Sequence, residues 1–167
     1  MVLTPDGALQ LLLFILPAYV ANATPVLLGG GMPVDFGRRA WDGRRLLGDG
    51  KTWRGLFSGL LAGILVGALE AGLLGDPRFY ALGMLLSLGA MLGDLFGSFV
   101  KRRLGFVRGH PFFLMDQLPF MLFALALASP LFLPSPEGIV FLAIVTYILH
   151  ISTNMLANKL GLKPVPW

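Results

Sequence analysis

Five stretches of this chain, at about residues 8–28, 55–75, 79–100, 111–133 and 138–158, are almost wholly apolar. Each is long enough to cross roughly 30 Å of hydrocarbon, which takes about 20 residues of helix. Composition leaves no other solvent. With 56% hydrophobic residues, 13% charged residues and a mean hydropathy of +0.77, 167 residues cannot hide their apolar surface in one soluble core. The chain reads as an all-α integral membrane protein, a bundle of about five transmembrane helices forming a single domain over residues 1–167. The first run lacks a basic flank, and Asn22-Ala-Thr-Pro25 makes a poor cleavage site, so the run is expected to stay in the mature protein. The absence of cysteine excludes disulfides and thiolate metal sites.

Lysine and arginine collect on one side of the runs. The first link carries Arg38, Arg39, Arg44, Arg45, Lys51 and Arg54; the third carries Lys101, Arg102, Arg103 and Arg108; the C-terminus carries Lys159 and Lys163, and Arg78 alone lies opposite. By the positive-inside rule the N-terminus is outside, the C-terminus is cytoplasmic, and the loops at about 29–54 and 101–110 face the cytoplasm. The chain is then a multi-pass protein of the cell membrane. The opposite links, "GDPRF" and "SPLFLPSPEG", read as plain turns.

Small residues recur every fourth position in the second run, at Gly55, Gly59, Gly63, Gly67, Ala71 and Gly75, and in the third at Gly89, Gly93 and Gly97. Such strips let helices approach closely and are read as packing surfaces, not ligand contacts. "GDGKT" at 48–52 invites comparison with a phosphate-binding P-loop. The first glycine of that motif would stand at position 45, which is Arg45, and no buried strand precedes it.

Acidic residues inside the apolar runs carry more information. Asp94, Ser98 and Lys101 stand at i, i+4 and i+7, one helix face running into the basic cluster. Asp94 lies about 10 Å of helix rise before Lys101, and Asp116 lies at a similar depth past Arg108 if that stretch is helical. A carboxylate in hydrocarbon must be paired, protonated or bound to a cation. One reading has Asp94 and Asp116 merely neutralise Lys101 and Arg102. The favoured one has them bind a hard cation, with Mg2+ carried by a nucleotide the natural candidate.

"GDLFGSFVKRR", with "MDQL" some twelve residues later, resembles the signature of integral-membrane phosphatidate cytidylyltransferases. "ATPVLLGGGMPVDFG", "WDGRRLLGDGKTWRG" and the short five-span chain resemble the archaeal branch of that family, the CDP-archaeol synthases. Departures from the wider family are local. Val107-Arg108, a lone Gly109-His110, and Asp116-Gln117 with Pro119 stand where that family places further Lys-Asp, Gly-rich and second-aspartate elements.

The resemblance implies transfer of CMP from CTP to a dialkyl glycerol phosphate with isoprenoid ether chains, giving a CDP-lipid and pyrophosphate in membrane phospholipid biosynthesis. It implies Mg2+ at Asp94 and Asp116. Lys101, Arg102 and Arg103 are then assigned to the triphosphate or to the lipid phosphate. Asp42, Arg44, Lys51, Thr52 and Arg54 form a clamp over the nucleotide, with Ser98 beside it. Nothing points to nucleic acid or an obligate protein partner.

Several residues keep two readings. Arg38, Arg39 and Arg45 either enforce topology or bind ligand, and Trp53 either stacks on cytosine or anchors the interface. Asn22, Thr24 and Pro25 either line the site or end a helix. Tyr147, His150 and Asn154 form one polar face of the fifth run, with His150 a proton carrier or a packing residue. The rival class is a small transporter or proton channel, which needs polar residues reaching both faces. Glu70 is the one candidate on the far half, and near a helix end it is expected to snorkel. A CDP-alcohol phosphotransferase would need aspartates in 55–75, which are absent.

Overall fold

The computed structural model describes residues 7–106, 110, 112, 115–162, 165 and 166. Arg108 and Lys163, two of the basic residues that orient the chain by charge, lie outside them. The described residues form five helices: α1 (Ala8–Leu28), α2 (Trp53–Leu74), α3 (Arg78–Arg103), α4 (Leu118–Ala128) and α5 (Pro136–Lys159). Four of them are long and apolar enough to cross a membrane. The fourth apolar run behaves differently from the expected span over 111–133.

That helix has 11 residues, about 16 Å of rise, roughly half a bilayer core. Its limits follow from proline chemistry. Pro119 lacks an N–H and fits only the first turn of a helix, and Pro130 cannot continue the ladder beyond Ser129. Asp116 therefore sits in a turn ahead of α4, not within a helix. α3 in turn extends through Lys101, Arg102 and Arg103, so the basic cluster is its last turn, where cations offset the helix dipole.

The glycine strips explain the close packing of α1, α2 and α3. A Cβ at Gly59 would lie 2.6 Å from the Ala21 carbonyl of α1, one at Gly63 would lie 2.6 Å from the Pro17 carbonyl, and one at Gly67 would lie 2.5 Å from Gly83 Cα of α3. Gly89 and Gly93 make the same seam with α4, where a Cβ would meet Ala124 Cα at 2.5 Å and Phe120 Cα at 2.6 Å. Gly75 does not belong to the strip. It ends α2 in the left-handed conformation with φ 67°, where glycine avoids the Cβ clash, and it faces open space. Asp76 follows, accepting from the Arg78 backbone N–H at 3.0 Å and from its guanidinium at 2.7 Å. The Arg78 guanidinium outweighs burial and holds the Asp76 carboxyl below its usual range.

The core lies among α1, α3 and α4, around Phe14, Ile15, Leu82, Leu86, Met121 and Leu125. α5 leans on it mainly at mid-length, through buried Leu142 and Thr146. The Thr146 hydroxyl is 2.8 Å from the Tyr19 hydroxyl of α1 and 3.3 Å from Met121 Sδ of α4, so one polar contact joins three helices. Further along α5, Tyr147 and His150 are half-buried and Asn154 is buried.

Glu70 does not snorkel. It lies on the packed side of α2 beside Gly67 and Ala71, is 5% exposed, and neither of its carboxyl oxygens meets a donor among the described residues. A buried polar group without a partner costs about 1–3 kcal/mol. Glu70→Leu is therefore expected to stabilise the protein, raising Tm by about 2–4 °C per kcal/mol recovered. Thermal denaturation in detergent measures it; a lower Tm would show that the carboxyl has a role in the fold.

Candidate active site

Residues 29–52 join α1 to α2 as an ordered loop at the basic end of the bundle. Its ends pair with each other: the Val34 N–H donates to the Lys51 carbonyl at 2.8 Å and the Trp53 N–H to the Met32 carbonyl at 3.0 Å. A second pairing, Ala40 N–H to the Arg44 carbonyl at 2.8 Å and Leu46 N–H to the Arg38 carbonyl at 3.0 Å, carries Trp41 at its tip. Asp35 organises the interior. Its side chain, 1% exposed, accepts from the backbone N–H groups of Gly37 (3.1 Å), Leu47 (3.0 Å) and Gly48 (3.1 Å), and pairs with Arg45 at 2.7 Å.

Burial alone would push the Asp35 carboxyl up. The Arg45 guanidinium and the three N–H donors outweigh it and hold that carboxyl well below the usual carboxylate range. Arg45 also pairs with Asp49, so this arginine is part of the loop's frame. Sequence reasoning passed over Asp35. The available signal was Asp35-Phe36-Gly37, an aspartate whose short side chain can return to the N–H two residues on.

This loop is clamped over the end of α3. Arg103 donates to Asp42 at 2.6 Å, while Arg44 donates to the Arg103 carbonyl at 2.7 Å, a cation satisfying an orphan acceptor of the last helical turn. The Arg103 guanidinium also lies over the rings of Trp41 at 5.4 Å and Phe99 at 5.2 Å. Asp42 and Arg44, assigned to the nucleotide from the sequence, make this clamp in the structure. Trp53 packs against Phe36 at 6.0 Å and Phe57 at 5.7 Å, an aromatic cluster that suits the anchoring reading of that residue.

Two carboxylates lie beneath the clamp, each held by a lysine. Lys51 Nζ is 2.6 Å from Asp94 Oδ2, both side chains being 28% exposed. They line a cleft of about 30 Å³ with Pro25, Thr52, Met91 and Leu95. Thr52 caps α2: its hydroxyl oxygen accepts from the N–H groups of Gly55 at 3.1 Å and Gly30 at 3.2 Å, which ties the glycine run after α1 to the start of α2.

Lys101 Nζ is 2.6 Å from Asp116 Oδ1 and 2.8 Å from the His110 carbonyl, and the Phe112 N–H donates to Asp116 Oδ2 at 3.0 Å. The chain around Asp116 crosses α3 at Gly97, where a Cβ would be 3.0 Å from the Met115 carbonyl. Asp116 is thus brought to the turn of α3 that follows Asp94.

Arg102 completes the group. It makes no ion pair with a described residue, its Nε has no acceptor, and its side chain runs under Gly48 of the loop. Ser98 is half-buried one turn after Asp94, and Arg54 is exposed on the first turn of α2. Asp94, Asp116, Lys51, Lys101 and Arg102 are therefore gathered at one end, with Asp42 and Arg44 holding the loop above them.

The donor set fits a hard divalent cation. Carboxylate oxygens are its preferred ligands, and Asp94 Oδ1 accepts from no described residue. No group of three or more His, Cys, Asp or Glu side chains forms a metal cage among the described residues. Phosphate oxygens and water would have to complete the shell, which is how Mg2+ usually binds beside nucleotides.

Comparisons with known proteins bear on the family of the chain. The model of the CarS-like CDP-archaeol synthase family matches residues 6–167. The chain is 52% identical to a CDP-archaeol synthase of Thermococcus gammatolerans over 161 residues, covering 92% of this chain and 93% of that protein. It is 48% identical to one of Pyrococcus horikoshii, covering 92% and 94%. A solved structure of an intramembrane enzyme for archaeal membrane lipid biosynthesis superposes with a TM-score of 0.85 at 46% identity, covering 90% of this chain and 96% of that one. With nearly its whole length matched in family, sequence and fold, this chain belongs to the CDP-archaeol synthase family.

Proposed function

We propose that the basic end of the bundle is the site at which CMP passes from CTP to the phosphate of an archaeol-type lipid, giving a CDP-lipid and pyrophosphate. Support comes from one observation above the rest: beneath an ordered basic loop lie two lysine-held carboxylates and Arg102, which has no ion pair among the described residues. A lipid phosphate oxygen attacks the α-phosphorus of CTP in line, and the bond from that phosphorus to the β-phosphate bridge oxygen breaks. Little acid–base chemistry is needed. The protein must bring two anions together and offset the charge on the departing pyrophosphate.

Mg2+, if held by Asp94 and Asp116, would supply that neutralisation. Arg102, lacking an ion-pair partner among the described residues, is a ready receiver for phosphate oxygens. Lys51 reaches the same anion from the loop, and Thr52 keeps its backbone in place by capping α2. Lys101 holds Asp116 toward the site. Arg54 and Ser98 lie at the rim, where they meet the nucleotide or its water. The lipid's isoprenoid chains stay in hydrocarbon while its phosphate reaches the polar end, as four membrane-length helices allow.

The reaction is tested by transfer of label from α-labelled CTP into organic-extractable lipid by purified protein. The acceptors are ether-lipid and ester-lipid phosphates, each with and without Mg2+. Mg2+-dependent labelling of the ether lipid is expected; no labelling of either acceptor by folded protein would remove the proposal.

Orientation belongs to the same proposal: the site faces the cytoplasm, where CTP is made, with the N-terminus outside. Because the chain has no cysteine, Trp41→Cys gives a single reporter at a position 85% exposed in the loop. In intact cells a membrane-impermeant maleimide should leave it unlabelled, and labelling should appear after the membrane is opened. Labelling of intact cells would put the loop outside and separate the site from CTP.

A further inference from the structure

We infer that Lys51 is a displaceable internal counter-cation, which occupies Asp94 until a metal nucleotide arrives and then moves to a phosphate, coupling cation binding to nucleotide binding. The inference rests on the reading of Asp94 as a metal ligand given above. It begins from a conflict. Lys51 Nζ sits 2.6 Å from the carboxylate that the cation needs, and an ammonium and a divalent cation sharing one carboxylate at contact distance repel each other. The cleft that the pair lines is partly open to solvent, and within it one oxygen of Asp94 is already taken by the ammonium. A cation that takes both oxygens of Asp94 displaces the ammonium, and a phosphate beside that cation offers the ammonium a new partner.

The two lysines differ in how easily they yield. Lys101 donates to two acceptors, Asp116 Oδ1 and the His110 carbonyl, and its side chain is 12% exposed. Among the described residues the Lys51 ammonium has one acceptor, Asp94, and more than twice that exposure. The Lys51 backbone is fixed, its carbonyl accepting from Val34 and its neighbour Thr52 capping α2. The mobile part is the four-carbon stem, which can swing the charge without disturbing the loop.

On leaving Asp94 the ammonium gives up its one acceptor among the described residues, and a nucleotide phosphate is an anion that replaces it. A free cation must therefore displace Lys51 into water, whereas a metal nucleotide supplies the cation for Asp94 and the acceptor for Lys51 together. Linkage makes the effect reciprocal: CTP tightens cation binding by the factor by which the cation tightens CTP binding.

The test is Mn2+ binding to purified protein, followed by electron paramagnetic resonance without nucleotide and with a non-transferable CTP analogue. Wild type, Lys51→Met, Lys51→Arg and Asp94→Asn are compared. Wild type should bind Mn2+ weakly alone and at least about tenfold more tightly with the analogue. In Lys51→Met the nucleotide-free affinity should rise about tenfold and the gain from nucleotide should shrink. Lys51→Arg, which can still pair with Asp94, should restore weak nucleotide-free binding.

If Asp94→Asn abolishes Mn2+ binding while Lys51→Met leaves the nucleotide-free affinity unchanged or weaker, the counter-cation inference is overturned and the metal site stands. If Asp94→Asn leaves Mn2+ binding intact, the metal reading of Asp94 falls, and the inference with it.

Discussion

Asp94→Asn should lower the rate of cytidylyl transfer by about three orders of magnitude while leaving a folded membrane protein. Loss of one preorganised group that offsets transition-state charge costs about 10²–10³, and here the lost charge is also a proposed cation ligand. The substitution keeps the shape of the side chain and removes one charge. Its cost to the fold is small, because the ion pair with Lys51 is partly open to solvent; such pairs contribute about 0–1 kcal/mol. Activity and stability should therefore separate, and turnover measured with saturating CTP alongside a thermal melt reads both. Near-normal turnover in a folded Asp94→Asn protein would remove the carboxylate from the chemistry.

Asp35→Ala should act through the loop. The substitution leaves Arg45 without its buried partner and frees the N–H groups of Gly37, Leu47 and Gly48. Leaving those N–H groups without their acceptor costs about 1–3 kcal/mol, enough to loosen an exposed loop. The apolar helices contribute nothing to that pair and should stay intact. Hydrogen exchange should rise across residues 35–48 and not in α1 to α3, and KM for CTP should rise about tenfold or more as Lys51 loses its fixed backbone. Unchanged exchange in 35–48 would show that the chain holds this loop by other contacts.

The pH dependence has a definite sign. Asp35 is more acidic in the folded loop than in the unfolded chain, so its contribution is complete above the ordinary carboxylate range. It is lost as pH falls through that range and below. Loop order should be flat from about pH 5 to 8 and fail only in acid.

Helices α1, α2, α3 and α5 were legible as apolar runs, because in lipid the run itself states the helix. The fourth was legible as an apolar segment but not as a short helix. Leucine and phenylalanine suit lipid and a buried turn equally, and only the places where Pro119 and Pro130 land limit it to 11 residues. Glu70 misled for a related reason: distance from a helix end says nothing about which side of the helix is packed, and its side proved to be the glycine seam.

At the site, the grouping of Asp94, Ser98 and Lys101 needed only the 3.6-residue period, and Asp116 needed only its closeness to the basic loop. Their partners needed more. Asp42 and Arg44 were legible as cytoplasmic-loop residues, yet whether such side chains meet a ligand or the end of α3 depends on where the loop folds back.

The residue order alone carried the membrane class, the helical runs, the clustering of charge at one end and the family, since each depends on local hydropathy, spacing or contiguous motifs. The docking of the loop through Asp35 and Arg103, the pairing of Lys51 with Asp94 and of Lys101 with Asp116, and the burial of Glu70 emerged only once the chain was folded. Those contacts join residues 10 to 61 positions apart. Their geometry is set by which helix faces the glycine seams force together, and no local pattern in the chain encodes that.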